Sequence, residues 1–131
     1  MNLEGKIVRE GEAKGKALVS KEPISFLGGV DPDTGKIIEA GHALEGRSIK
    51  DKILIFPHGK GSTVGSYVLY QLATNGNAPA AIINRKAEAI VAVGAIIADI
   101  PMVHELDKDP LKEIENGDLV TVKGGSVKVE K

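Results

Sequence analysis

Ile53-Leu54-Ile55-Phe56-Pro57-His58-Gly59-Lys60-Gly61-Ser62-Thr63-Val64-Gly65-Ser66-Tyr67 passes through three kinds of local structure without a break. Lys52 to Phe56 is a short, β-branched apolar run closed by Pro57, the signature of a buried strand. Glycines at 59, 61 and 65 then let the backbone turn tightly and approach a ligand. Val64, Val68 and Leu72 recur every fourth residue with Leu69 and Ala73 beside them, which marks the apolar face of a helix. Ser62 or Thr63 can cap its start, and Asn75-Gly76 can close its end. A buried strand feeding a helix through a glycine-rich loop is the building unit of an α/β domain. The free N–H groups of such a first helical turn favour anions.

Working outward, the N-terminal third reads as strand. Lys6–Arg9 and Gly15–Val19 are short β-rich runs. Ile24-Ser25-Phe26-Leu27 continues this character after Pro23 and ends at Gly28-Gly29. Val30 to Gly35 is dense in turn residues, and Lys36-Ile37-Ile38-Glu39 reads as a further strand. Downstream, Ala80–Asn84 and Pro101–Val103 are expected strands. Ala87–Asp99 is a buried helix or a buried strand, because periodicity fails when both faces are apolar. Pro110–Glu115 suggests a helical turn. Leu119–Val122 and Val127–Val129 flank Lys123-Gly124-Gly125-Ser126, a hairpin pattern. The expectation is one α/β domain over residues 1–131, β-rich at both ends, with helices in the middle.

Composition narrows the function. With 42% hydrophobic residues and a net charge of −1, the chain can bury a core and is not intrinsically disordered. Seventeen basic residues against eighteen acidic ones, with 3% aromatics, leave no broad nucleic-acid footprint. Arg47, Lys50, Lys52, Lys60, Arg85 and Lys86 read as solvated surface charges. The absence of cysteine excludes a disulfide scaffold, a thiolate metal site and a self-held iron–sulfur cluster. No apolar leader follows Met1, and the longest apolar run, Ala89–Ala98, is far below the ~20 residues of a membrane helix. A soluble cytoplasmic protein with no membrane contact is expected.

Several residues are candidates for chemistry. Lys60, Gly61, Ser62 and Thr63 combine charge, backbone freedom and hydroxyls at a helix start. The loop is not a Walker loop, since Gly61 separates Lys60 from the hydroxyl residue. By residue type, Ser62 is either a helix cap or a reactive hydroxyl. Asp31 and Asp33 flank Pro32 on a rigid turn; they could bind a cation, act as acid and base, dock a partner, or form an ordinary surface turn. His42, His58 and His104 show no metal-ligand spacing. A triad of Ser62, His58 and Asp31 lacks the Gly-x-Ser-x-Gly elbow.

Three blocks, Ser25–Gly35, Phe56–Tyr67 and Asn77–Ile83, are similar in order to the small, swivelling-domain subunit of the aconitase X family. The Gly59-Lys60-Gly61-Ser62-Thr63-Val64-Gly65-Ser66-Tyr67 block is the specific part. The resemblance implies a swivelling β/β/α fold, a β-rich, partly closed barrel with flanking helices. It implies a hydro-lyase of two chains, with an iron–sulfur cluster in an aconitase-like large subunit and no cofactor on this chain. Ser62 matches the serine that acts as catalytic base. Lys60, Gly61, Thr63, Asp31 and Asp33 are then expected substrate-binding residues. The archaeal branch implies conversion of (R)-mevalonate 5-phosphate to trans-anhydromevalonate 5-phosphate in a modified mevalonate pathway; bacterial relatives imply a hydroxyproline-type substrate. The competing reading is a stand-alone phosphocarrier or ligand-binding module using His58, since other swivelling folds carry a phosphohistidine.

Overall fold

The computed structural model describes residues 1–131. Eight strands form one sheet: β1 (Asn2–Glu4), β2 (Lys6–Arg9), β3 (Glu12–Val19), β4 (Ile53–Phe56), β5 (Ala81–Asn84), β6 (Met102–His104), β7 (Leu119–Lys123) and β8 (Ser126–Glu130). Their spatial order is β1-β8-β7-β3-β4-β5-β6-β2. β3, β4, β5 and β6 run parallel in succession, while β7, β8 and β1 on one side and β2 on the other are antiparallel to their neighbours.

The two edge strands, β1 and β2, are consecutive pieces of one chain separated only by Gly5. The sheet must therefore curl until its edges meet at that residue. No ladder closes it; Gly5 N–H donates to Gly125 O in continuation of the β1–β8 pairing, and Asp107 N–H, beyond β6, donates to Glu4 O across the gap. This is the curled, unclosed form of the barrel expected from the sequence.

Helix α2 (Gly65–Thr74) and helix α3 (Ala89–Ile97) pack on one face of the parallel strands. The turn α1 (Phe26–Gly29) joins them, and α4 (Pro110–Glu113) lies with the inner core through Leu111. Alternation along β4 explains the two layers. Ile53 and Ile55 point into a core within the curl with Val103, Val120, Val122 and Val127. Leu54 and Phe56 point the other way, under Phe26, Leu69, Leu72 and Val91. The Phe26 and Phe56 rings meet at 6.0 Å, tilted by 60°. A strand buried on both faces reads as a continuous apolar run, which is how it was recognisable.

Local expectations fail at three places. Ile24–Leu27 is not a strand: Ile24 makes a single bridge to Gly59, and Phe26–Gly29 is a turn broken by Leu27 and Gly28 in non-helical conformations. Lys36–Glu39 makes only isolated bridges, Val30 to Ile37 and Lys36 to Ser48, because no strand lies alongside to form a ladder. Residues 2–4 form a strand that their composition does not announce; burial of Leu3 in the curl and pairing with β8 create it. The ambiguous Ala87–Asp99 segment resolves as helix. The Glu88 carboxylate accepts from the N–H groups of Ile90 and Val91 at 2.9 and 2.8 Å, and Gly94 admits Leu69 so closely that a β-carbon would lie 2.4 Å from its Cδ1.

Candidate functional site

Parallel strands aim their C-terminal ends at one rim of the sheet, the usual location of ligand sites in α/β folds. β4 leaves the sheet there. Its last carbonyl, of Phe56, accepts a hydrogen bond from Asn84 Nδ2 at 3.0 Å, and the Pro57 carbonyl accepts from the N–H groups of Arg85 and Lys86. The chain is then held by Ile24, whose N–H donates to His58 O and whose carbonyl accepts from Lys60 N–H. Gly61 turns with φ +88°, and a β-carbon there would stand 2.6 Å from Ser25 Oγ. Both the left-handed backbone and the neighbour demand glycine.

Ser62, Thr63 and Val64 follow as an exposed turn leading into α2. Ser62 Oγ accepts one hydrogen bond, from Val64 N–H at 3.1 Å, and its carbonyl accepts from Gly65 N–H. No side chain caps α2 at Val64. The N–H groups of Gly61, Ser62 and Thr63 donate to no acceptor of the chain. The loop therefore carries an exposed hydroxyl and three unpaired N–H groups just ahead of α2, whose own first N–H groups, of Gly65, Ser66 and Tyr67, are taken by the carbonyls of Ser62, Thr63 and Val64.

Lys60 lies beside this loop, with Nζ 3.2 Å from Glu39 Oε2. An anion at the loop would meet a lysine already balanced by a carboxylate. Ser25, Glu39 and Asn84 thus shape the site although sequence reading did not select them. They lie tens of residues from Ser62 and carry no motif; only Asn84, a polar residue ending an apolar run, offered a local sign. Asn84 is fully buried, and its Oδ1 has no partner.

The Asp31-Pro32-Asp33 turn is held against the residues that follow α2. The Asn75 and Asn77 amides donate to Pro32 O at 3.0 and 3.1 Å, and Asn77 also to Asp33 O. These asparagines follow the C-terminus of α2, whereas Ser62 precedes its N-terminus; ten helical residues span about 15 Å. The Asp31 carboxylate instead accepts from Asp33 N–H at 2.9 Å, an Asx turn.

The histidines are likewise separated. His42 is buried, with Nδ1 accepting from Leu44 N–H and Nε2 donating to Pro23 O. His104 Nδ1 accepts from Ala87 N–H. Only His58 stands exposed near the loop, its Nδ1 2.7 Å from Gly59 O. No three His, Asp or Glu side chains come together as a metal-binding group, and there is no cysteine.

The clearest electrostatic perturbations are structural ones. The Arg85 guanidinium, hydrogen-bonded to Asp109 at 2.9 and 2.8 Å, holds that carboxyl below the usual range. Lys131 and the Glu115 N–H do the same for Asp118.

Fold and loop together define a curled α/β domain that presents an exposed serine and free backbone donors at a helix N-terminus. The sequence profile of the aconitase X swivel domain matches residues 2–130, and the chain belongs to that family. A phosphomevalonate dehydratase small subunit from Methanocella arvoryzae is 63% identical over 124 residues, covering 95% of this chain and 94% of its own. The protein of the same name from Methanosarcina acetivorans is 55% identical over 130 residues, covering 99% and 90%. The crystal structure of Thermococcus kodakaraensis aconitase X in its holo form superposes with a TM-score of 0.95 at 49% identity, covering 100% of this chain and 99% of that one.

Proposed function

We propose that this chain is the small subunit of a two-chain hydro-lyase that dehydrates (R)-mevalonate 5-phosphate to trans-anhydromevalonate 5-phosphate, with Ser62 as the proton acceptor. The observation that carries the reading is the presentation of Ser62: exposed, at the mouth of α2, beside three N–H groups without partners. The names of the relatives at 55–63% identity support the reaction class.

The chemistry is an elimination. The carbon next to the carboxylate loses a proton, the neighbouring carbon loses its hydroxyl, and a double bond forms between them. Proton and hydroxide leave as water, with no net oxidation. A serine takes a proton effectively only as an alkoxide. The helix terminus supplies ~0.3–1 kcal/mol toward that anion, up to ~2 in good geometry. That is roughly one and a half pKa units at most. The free N–H groups of Gly61, Ser62 and Thr63 add to it as preorganised donors. The remainder, and the iron–sulfur cluster implied by the family resemblance, fall to the large subunit. Each subunit alone is accordingly inactive.

The test is to mix this chain with the aconitase-like large subunit encoded in the same genome, supply (R)-mevalonate 5-phosphate, and follow the unsaturated product by NMR. Turnover by the mixture and by neither chain alone is expected. Dehydration of a hydroxyproline in place of the phosphorylated acid would overturn the substrate. Phosphate transfer that depends on His58 and survives loss of Ser62 would replace the reading with a phosphocarrier.

A further inference from the structure

α2 and α3 are ten and nine residues long, and neither contains a charged residue, in a chain that is 27% charged. Surface helices normally turn charge outward. Here the inward faces already supply the core through Val68, Leu69, Leu72, Val91 and Ala95. What remains outside is apolar as well. Tyr67 is 66% exposed, Tyr70 51%, Ile96 52% and Val93 49%. The only two tyrosines of the chain thus stand on one outer helix face. Together with Val64 and Ile97 these side chains expose on the order of 500 Å², against roughly 800 Å² per partner in a standard protein interface. Depletion of charge with enrichment of tyrosine is the composition of an interface centre.

A groove of about 380 Å³ lies between the two helices, and Thr63 is among the residues that line it. The face is therefore continuous with the Gly61–Thr63 loop. A chain seated in the groove would reach the residue next to Ser62 and displace bulk water from the unpaired N–H groups. We propose that the uncharged α2–α3 face docks the large subunit, whose apolar side chains fill this groove and thereby place Ser62 at the rim of the shared site. This rests on the two-chain reading above. The occupant is the large subunit and not a second copy, because the relatives at 55–63% identity are named as small subunits, which implies a large partner, and the face runs on into the loop that carries Ser62.

The experiment uses full-length Tyr67→Asp and Val93→Asp chains, with Lys123→Asp on the β7–β8 hairpin as control. Thermal melts establish that each is folded, as the exposure of all three positions leads one to expect. Association with the purified large subunit is measured by sedimentation velocity and calorimetry, and hydrogen exchange of the wild-type chain is compared free and bound. Affinity should fall by roughly 30-fold or more for Tyr67→Asp and Val93→Asp. The Lys123→Asp chain should bind normally, and Gly65–Thr74 and Ala89–Ile97 should gain protection in the wild-type complex. Unchanged binding of both helix variants, with a complex that still dehydrates substrate, would overturn the docking face and leave the proposed function standing. A wild-type chain that does not bind the large subunit would overturn both. A dimer of the chain alone, dissociated by Tyr67→Asp, would assign the face to a second copy and overturn the proposal.

Discussion

Replacing Ser62 by alanine separates two roles that residue type alone leaves open. The side chain is exposed and makes one hydrogen bond, accepting from Val64 N–H at 3.1 Å. Water can take its place on that donor. The stability cost then falls at the low end of the range for lost caps, about 0.5 kcal/mol. For a domain of this size that is a drop of roughly 2 °C in Tm. A proton acceptor would behave otherwise: general-base catalysis contributes ~10²–10⁴-fold, which is roughly 2.7–5.5 kcal/mol of barrier. A matched control exists in the same fold. Ser48 Oγ accepts from Lys50 N–H at 3.2 Å in the same i to i+2 pattern, on the segment that pairs with Lys36, away from the loop. The assay is kcat of the reconstituted two-chain enzyme beside Tm of each variant. Ser62→Ala and Ser48→Ala should melt alike, and only Ser62→Ala should lose turnover, by at least about 100-fold. Equal small Tm shifts with full turnover in both would show that Ser62 is a turn residue and that the proton goes elsewhere.

Other outcomes follow from the same geometry. Gly61→Ala combines a left-handed backbone, ~1–2 kcal/mol for an L-residue, with loss of the Ser25 Oγ to Leu27 O bond as Ser25 is pushed aside, ~0.5–1.5 kcal/mol. Its Tm should fall by roughly 6–12 °C, and by less than the sum of the single effects when Ser25→Ala is added, as a double-mutant cycle by calorimetry will show. Asp33→Ala should leave turnover within a few-fold of wild type, since its turn is held at the far end of α2; a loss like that of Ser62→Ala would refute this placement. Asp109 is held below the normal carboxylate range by Arg85, so the pair stabilises the fold above the unfolded value of ~3.9 and loses that effect as pH falls through the lowered folded value. The Tm gap between wild type and Asp109→Asn should be open at pH 7 and narrow progressively below about pH 4.

Strand β4, helix α2 and the β7–β8 hairpin were legible in the chain because each is dictated by neighbours within a few residues. A run of Ile-Leu-Ile-Phe before proline, apolar residues at every fourth position, and a Gly-Gly turn between alternating strands all act locally. The loop around Ser62 was legible for the same reason: its glycines and hydroxyls are contiguous. Everything that depends on distant partners was not. Ala89–Ile97 packs as a helix because Gly94 leaves the space that Leu69 fills, a contact not written in its own apolar string. Lys36–Glu39 has strand composition but no ladder to join. Leu3 makes residues 2–4 a strand only by entering a curled sheet whose far edge begins at Lys6. That the Asp31-Pro32-Asp33 turn is fastened by Asn75 and Asn77, more than forty residues on, is likewise not written in its own residues. Local sterics and solvation act over a few residues and can be read along the chain. The pairing of Ser25 with Gly61 or Glu39 with Lys60 is set by packing energy between segments far apart in sequence, and only the folded chain decides it.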